Sequence, residues 1–103
     1  MASTKSYLDF IMEQLPAGAS SRAMMGEYVL YYRGRVFGGI YDDRLLVKPV
    51  PAAQLKMPDA PRELPYPGAK EMLLVENLED RAFLAELLEA MYVELPEPKK
   101  KKR

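Results

Sequence analysis

One stretch, residues 22–49, constrains the fold more than any other part of the chain. It contains three runs of aromatic and β-branched residues, which fit a pleated, half-buried surface: Tyr28–Tyr32, Val36–Tyr41 and Leu45–Val47. An Arg-Gly pair (33–34) and an Asp-Asp pair (42–43) lie between the runs. Because glycine and aspartate tolerate the positive φ of tight hairpins, the stretch predicts an antiparallel meander. A fourth short strand is expected before it, at Ala23–Met25.

The register of the meander depends on its first turn. Arg33 suits a type I′ turn poorly, so a type I turn with Gly34 in a bulge position remains an alternative. With two-residue loops, Tyr32 lies opposite Arg35, Leu30 opposite Phe37, Tyr41 opposite Arg44 and Phe37 opposite Lys48. Directly opposed residues share a face of a sheet. One face is then almost wholly apolar and is the predicted core face: Val29, Tyr31, Val36, Gly38, Ile40, Leu45 and Val47.

The other face of this register mixes aromatic rings with cations. Its candidate binding residues are Tyr28, Tyr32, Arg35, Phe37, Tyr41, Arg44 and Lys48. Single-stranded nucleic acid binds such surfaces by base stacking and backbone charge. The alternative is that the Pro-rich segment or a second copy of the chain covers the rings. So large an apolar face predicts a homodimer, in which one patch serves both subunits.

A glycine pair, Gly38-Gly39, interrupts the middle run. Glycine in a strand costs about 0.5–1 kcal/mol relative to alanine, so it marks a bulge or the close approach of another element. That element is either a packed helix or a ligand. A pocket beside the pair would favour a small-molecule or nucleotide-binding module, whereas a flat aromatic patch would favour a protein or nucleic-acid partner.

The flanks of the meander predict helices. Ser3 or Thr4 caps a helix that runs to about Leu15, and residues 18–21 link it to the meander. Near the other end, a strand at Met72–Glu76 precedes a helix that Asn77 caps and that continues to about Glu94. Its apolar stripe comprises Leu84, Leu87, Leu88, Met91, Tyr92 and Leu95. The predicted fold is α+β, an antiparallel sheet flanked by N-terminal and C-terminal helices.

A Pro-rich segment connects the meander to the last strand. Six prolines fall within nineteen residues: Pro49, Pro51, Pro58, Pro61, Pro65 and Pro67. Pro51 suits the first position of a short helix over Ala52–Lys56. Residues 57–69 are expected to be extended or turned, with a turn at Pro67-Gly68. We interpret the segment as a rigid surface loop, because the chain after it is too short to form a domain.

The charges are unevenly distributed although the net charge is zero. The last five residues, KKKKR, carry +5. Without them, ten basic and fifteen acidic residues remain in 1–98, a net charge of −5. This argues against a broad nucleic-acid footprint on the body. We predict one domain over 1–98 and a disordered basic tail over 99–103, with a nucleic-acid tether or an anionic partner contact as the alternative role of the tail.

The residue inventory excludes several kinds of chemistry. The chain has no cysteine and no histidine, so thiolate nucleophiles, disulfides and the commonest metal ligands are absent. It has no phosphate-binding glycine loop, and Asp42-Asp43 is explained by a hairpin turn. These absences argue against the commonest catalytic chemistries, and we predict no cofactor and no metal site. The chain also lacks an apolar run long enough for a membrane span or a signal peptide, so we predict a cytoplasmic location and no membrane partner.

The meander carries a motif of charged, glycine and apolar residues, placed in its turns and in the strands next to them. The positions concerned are Arg22, Met24, Gly26, Leu30, Tyr31, Gly34, Arg35, Asp42, Asp43, Arg44, Leu45 and Lys48. The pattern resembles the N-terminal domain of the TfoX/Sxy competence-regulator family, with Met25, Glu27 and Val29 as departures. The resemblance implies an α+β fold, no enzymatic activity and a role in regulating DNA uptake through a protein or nucleic-acid partner. It implies no catalytic residues.

Overall fold

The structure is a computed structural model that describes residues 3–95. It contains three helices and six strands: α1 (Lys5–Gln14), β1 (Ala19–Met24), β2 (Glu27–Tyr32), β3 (Arg35–Ile40), β4 (Leu45–Val47), α2 (Pro51–Lys56), β5 (Arg62–Glu63), β6 (Met72–Leu74) and α3 (Arg81–Tyr92). The strands form one antiparallel sheet in the order β1-β2-β3-β4-β6-β5. The predicted α+β fold is confirmed. The basic tail predicted at 99–103 lies outside the described residues.

Three tight turns build the first four strands. Both central residues have positive φ in the turns Met25-Gly26, Arg33-Gly34 and Asp42-Asp43, with values between 51° and 88°. Positive φ at both positions defines the type I′ turn, whose twist matches that of the flanking strands. The two-residue loop is therefore the correct alternative at Arg33. The predicted short strand at Ala23–Met25 is part of a longer one, since β1 runs from Ala19 to Met24 and Met25 lies in the turn. The predicted linker over 18–21 is therefore wrong from Ala19 onward.

A bulge in β3 changes the register within the second hairpin. Tyr32 lies opposite Arg35 and Tyr31 opposite Val36, but Leu30 lies opposite Gly38. Phe37 is thus an extra residue on β3, and the predicted Leu30–Phe37 pair is wrong. A bulge places two successive residues of one strand against a single partner. Phe37 and Gly38 consequently lie on the same side of the sheet.

This bulge changes which residues lie on each face of the sheet. We call the side that the helices cover the inner face, and its opposite the outer face. Inner-face residues join α1, α2 and α3 in one buried core, whose members include Leu30, Tyr32, Phe37, Ile40, Leu45, Val47, Leu73, Ile11, Leu84, Leu87, Leu88 and Met91. The prediction was correct for Ile40, Leu45 and Val47. It was wrong for Val29, Tyr31 and Val36, which lie half-buried on the outer face.

The glycine pair is required by two close approaches. A Cβ at Gly38 would lie 2.0 Å from the carbonyl oxygen of Leu46, in the backbone of β4. A Cβ at Gly39 would lie 2.6 Å from both the Tyr28 carbonyl oxygen and the Tyr41 ring. The approaching elements are thus a neighbouring strand and an aromatic ring of the same sheet, and not a helix.

The observed cap agrees with the predicted one for the N-terminal helix but not for the C-terminal helix. Thr4 caps α1, since its side chain accepts a hydrogen bond from the Tyr7 amide. Pro51 occupies the first turn of α2, as predicted. Asn77 does not cap α3; Asp80 does, and its carboxylate accepts from the Phe83 amide at 3.0 Å. The sequence thus indicated the right segment, but the capping residue is Asp80, three residues after the predicted Asn77.

Candidate ligand cleft

The predicted aromatic platform does not exist as a single face. Tyr32 and Phe37 are buried in the core, and Tyr28 packs half-buried against it. All three lie on the inner face, under the helices, while Tyr41 lies on the outer face. The prediction that these four rings share one open face is wrong, because the bulge at Phe37 shifts the register halfway along the hairpin.

Arg35 fastens the sheet to the end of α3. Its guanidinium lies 4.3 Å from the centroid of the Tyr92 ring and donates to the carbonyls of Tyr92 and Leu95 at 2.9 and 3.2 Å. Carbonyls at the end of a helix are a favourable site for a cation. The structure thus gives this candidate binding residue a place in the packing of α3.

Tyr32 makes a second link to the same helix. Its hydroxyl donates to the Glu89 carboxylate, which also pairs with Arg33 at 3.0 Å. This hydrogen bond, together with burial, raises the pKa of Tyr32 above its usual value. The ring meets Tyr92 edge-on, with centroids 6.0 Å apart. Tyr32 therefore packs against α3 on the inner face.

The remaining candidates lie at a cleft on the outer face. Tyr41 and Lys48 line it, and Arg44 lies next to it. The cleft has a volume of about 690 Å³ and lies between the sheet and the Pro-rich segment. Its floor and walls come from the sheet side, and its roof comes from residues 65–71. The lining is Val36, Gly38, Tyr41, Lys48, Pro49, Val50, Pro65, Tyr66, Gly68, Ala69, Lys70, Glu71 and Met72. We call this the outer cleft.

Glycine and tyrosine together shape the wall of the outer cleft. With no side chain at Gly39, the Tyr41 ring lies directly over the β3 backbone. There it meets Tyr66 of the roof, with ring centroids 6.1 Å apart and planes inclined at 59°. A tilted arrangement at this spacing is typical of favourable aromatic pairs. The pair therefore links the sheet to the roof within the lining of the outer cleft.

Arg44 holds the roof in place. Its guanidinium donates to the Leu64 carbonyl at 3.1 Å and to the Tyr41 carbonyl at 3.0 Å, and it pairs with the Glu63 carboxylate. Beyond Leu64, the chain reverses in a turn in which the Ala69 amide donates to the Tyr66 carbonyl at 3.1 Å. Arg44 therefore supports the outer cleft without lining it.

The electrostatics of the outer cleft are dominated by two lysines. Lys48 stands half-buried at the end of β4 and Lys70 lies exposed in the roof. Within residues 3–95, neither forms an ion pair. Glu71 is the one carboxylate in the lining, which leaves a net charge of +1. Burial, followed by the influence of Tyr66 and Glu27, raises the pKa of Tyr41, so its hydroxyl remains a hydrogen-bond donor at neutral pH.

Another depression, of about 930 Å³, lies beside the start of α3. Its lining is rich in carboxylates, with Glu76, Glu79 and Asp80 among its seven residues. The Asp80 side chain is already engaged as the helix cap. The described part of the chain contains no cluster of three or more residues suited to holding a metal ion. The apolar outer cleft is therefore the better candidate for a binding site.

The Asp-Asp turn has a structural role. The Asp43 carboxylate accepts from the Thr4 amide at 2.8 Å, and the Asp43 amide donates to the Ser3 hydroxyl at 3.0 Å. These contacts attach the start of α1 to the β3–β4 turn. Residues 3–95 contain no helix with the length and hydrophobicity that crossing a membrane requires.

Sequence reasoning missed the roof of the outer cleft. Tyr66, Lys70 and Met72 were not among the candidate residues, although the predicted turn at Pro67-Gly68 lies between them. The turn indicated that the chain reverses there, and Gly68 does adopt a positive φ of 87°. The Pro-rich segment was one expected cover of the face opposite the core, but the sequence carried no signal for which of its residues would line a cleft.

Comparison with known proteins identifies a relative along nearly the whole chain. No family model matches the sequence, and no solved structure matches it. The protein named "Uncharacterized 12.7 kDa protein in trpE 5'region" of Spirochaeta aurantia is 35% identical over an alignment of 107 positions, which covers 99% of this chain and 91% of the relative. Identity at this level over this length shows common descent, and the chain therefore belongs to the family of the Spirochaeta aurantia protein.

Proposed function

We propose that the protein is a non-enzymatic cytoplasmic module that binds a small organic molecule in the outer cleft. The observation that carries the proposal is the cleft itself, which opens beside Gly38 between the sheet and the Pro-rich segment. Its volume of about 690 Å³ falls within the range of about 300–1,000 Å³ that is common for small-molecule sites.

The lining has the composition that such sites share. Most of its residues are apolar or aromatic, and the polar groups are few: two lysines, one glutamate and the Tyr41 and Tyr66 hydroxyls. Sites for small organic molecules combine an apolar surface with a small number of polar groups that orient the ligand. The fixed floor on the sheet and the Arg44-anchored roof keep the cleft formed without a ligand.

Two related fluorescent probes test the proposal. Anilinonaphthalene sulfonate and N-phenylnaphthylamine share one aromatic skeleton, and both fluoresce in apolar surroundings. Val36→Trp should fill the outer cleft. Val29→Trp is the matched control, because Val29 is also a half-buried outer-face valine but does not line the cleft. Saturable binding of either probe that Val36→Trp abolishes and Val29→Trp preserves supports the proposal. If Val36→Trp binds both probes as the wild type does, the outer cleft is not the site.

A second candidate function is regulation through a macromolecular partner, as the TfoX/Sxy resemblance implies. The observation that favours it is the edge of the sheet at β1, which among the strands of residues 3–95 pairs with β2 alone and is exposed from Ser20 to Met24. An exposed edge strand accepts an added strand from a partner. The partner would be a protein, a nucleic-acid complex or a second copy of the chain.

The β1 edge can be blocked with one substitution. The two-residue turn makes Met24–Glu27 a hydrogen-bonded pair, and such pairs alternate along an antiparallel ladder. The amides of Ser21 and Ala23 therefore face away from β2. Ser21→Pro should abolish capture of a partner from nuclease-treated native lysate, and sedimentation equilibrium should show whether that partner is a second copy. A partner captured equally well by Ser21→Pro would exclude the β1 edge.

A further inference from the structure

We infer that the ligand of the outer cleft is an organic anion, with a ring-containing apolar body and a single carboxylate, sulfonate or phosphate group. This inference rests on the proposed function and adds the chemical class of the ligand. It is carried by the placement of two lysines in the lining, Lys48 directly after β4 and Lys70 in the roof.

Lys48 is the more constrained of the two cations. Its backbone is fixed, because its amide donates to the Phe37 carbonyl at 2.9 Å and Pro49 follows it. Its side chain is half-buried among apolar lining residues and has no ion-pair partner within residues 3–95. A partly desolvated ammonium group gains more from an anion than an exposed one does. This position therefore favours a negatively charged ligand group.

Lys70 provides a second positive charge from the roof. It is exposed and also lacks an ion-pair partner in the described part of the chain. With two lysines and one glutamate in the lining, the cleft carries a local net charge of +1, although residues 1–98 as a whole carry a net charge of −5. Clefts lined by one sign of charge concentrate ligands of the other sign. Glu71 reduces this charge without reversing it.

The apolar body of the ligand follows from the aromatic wall. Tyr41 is almost fully buried, whereas Tyr66 is 57% exposed. Tyr66 therefore has ring surface left for a ligand after its contact with Tyr41. A flat ring beside Tyr66 would cover this apolar surface, and aromatic pairs add a favourable contribution beyond area alone.

The two probes separate this inference from the proposed function, because they differ only in the sulfonate. The wild type should bind anilinonaphthalene sulfonate at least about tenfold more tightly than the neutral N-phenylnaphthylamine, the scale of one charge-assisted hydrogen bond. The double variant Lys48→Met and Lys70→Met should lose this preference and retain affinity for the neutral probe. Raising the salt concentration should weaken only the anionic probe.

A second double variant controls for overall charge. Lys5→Met with Lys56→Met removes the same net charge from helices outside the cleft and should preserve the tenfold preference. Equal wild-type affinity for the two probes, or equal loss of the preference in both double variants, overturns the inference. If both probes bind but Val36→Trp and Val29→Trp bind them alike, the proposed function fails as well. A preference lost only in the cleft variant supports both.

Discussion

The two faces of the sheet are both apolar, but they are covered in different ways. Three helices seal the inner face, and Leu30, Phe37 and Ile40 have no exposed surface. The outer face is covered only in part, by a proline-rich turn that Arg44 holds from one side. Beneath this turn Leu46 is fully buried, whereas Val29 and Tyr31 farther along the face remain half-open.

This difference shows how one sheet can separate stability from binding. The inner face contributes most of the buried apolar area, and burial of such area is the main favourable term in folding. The outer face needs less packing for stability, so it can keep a cleft open. Fold and candidate site thus depend on opposite sides of the same strands, and substitutions on the two sides should have different consequences.

The largest contrast is expected for a charge placed on each face. Phe37→Asp would bury a carboxylate in a fully buried site, at a cost above about 5 kcal/mol, which is comparable with the stability of a small domain. Tyr31→Asp, on the half-open outer face, should cost about 1 kcal/mol. Circular dichroism and urea melts would show the first variant unfolded and the second folded. A folded Phe37→Asp would contradict the assignment of the inner face.

The packing of the two faces can be compared directly by truncating two adjacent leucines. Leu45 belongs to the inner core, whereas Leu46 is fully buried under the outer roof. Leu45→Ala should cost about 2–5 kcal/mol. Leu46→Ala should cost less than Leu45→Ala, because the roof can collapse more easily than the helices onto the space left behind. Urea denaturation measures both values. A larger loss for Leu46→Ala would mean that the roof is the more rigidly packed cover.

The roof can be loosened without touching either face. Arg44→Met removes the bonds to Leu64 and Glu63, and we expect a loss of about 1 kcal/mol in global stability. Hydrogen exchange should accelerate at residues 64–69 before it does so elsewhere. Arg62→Met is the matched control, since among the described residues the Arg62 side chain is hydrogen-bonded to Gln54 alone. Unchanged exchange in Arg44→Met would show that the roof is held by its aromatic contact.

The smallest effect concerns the helix that covers the inner face. Asp80→Ala removes the carboxylate that caps α3 and should cost about 1 kcal/mol. Asn77→Ala lies before the helix and should change stability by less than about 0.5 kcal/mol. The pair is measured by thermal or urea unfolding. Equal losses in the two variants would place the start of α3 at Asn77.

The two hairpins with turns at Arg33-Gly34 and Asp42-Asp43 were predictable from the sequence because their turn residues are local signals, whereas the turn at Met25-Gly26 was not predicted. A pair of residues that tolerates positive φ, placed between two β-branched runs, determines a type I′ hairpin within a few residues. The apolar stripe of α3 was predictable for the same reason, since its spacing of three and four residues is independent of the rest of the fold. These features depend only on neighbours in the chain.

The sorting of the faces was not predictable, because both faces are apolar. Hydrophobic alternation normally fixes a register, but Leu30 and Val29 are both suited to a core. The bulge at Phe37 is a property of the pairing between β2 and β3, and the β4 backbone lies so close to Gly38 that no Cβ fits there; both are contacts between strands and not local preferences. The outer cleft was not predictable for a related reason. Tyr66 and Lys70 join Tyr41 in one lining only after the Pro-rich segment folds back.

The central claim is that the bulge places Leu30 inside and Val29 outside, and cysteine reactivity tests it directly. The natural chain has no cysteine, so Val29→Cys and Leu30→Cys each introduce a single thiol on the same strand. Under native conditions, a thiol reagent should modify Val29→Cys no more than a few tens of times more slowly than it modifies the same thiol in urea. It should modify Leu30→Cys only through unfolding. Rapid modification of Leu30→Cys with protection of Val29→Cys would reverse the two faces and contradict the account.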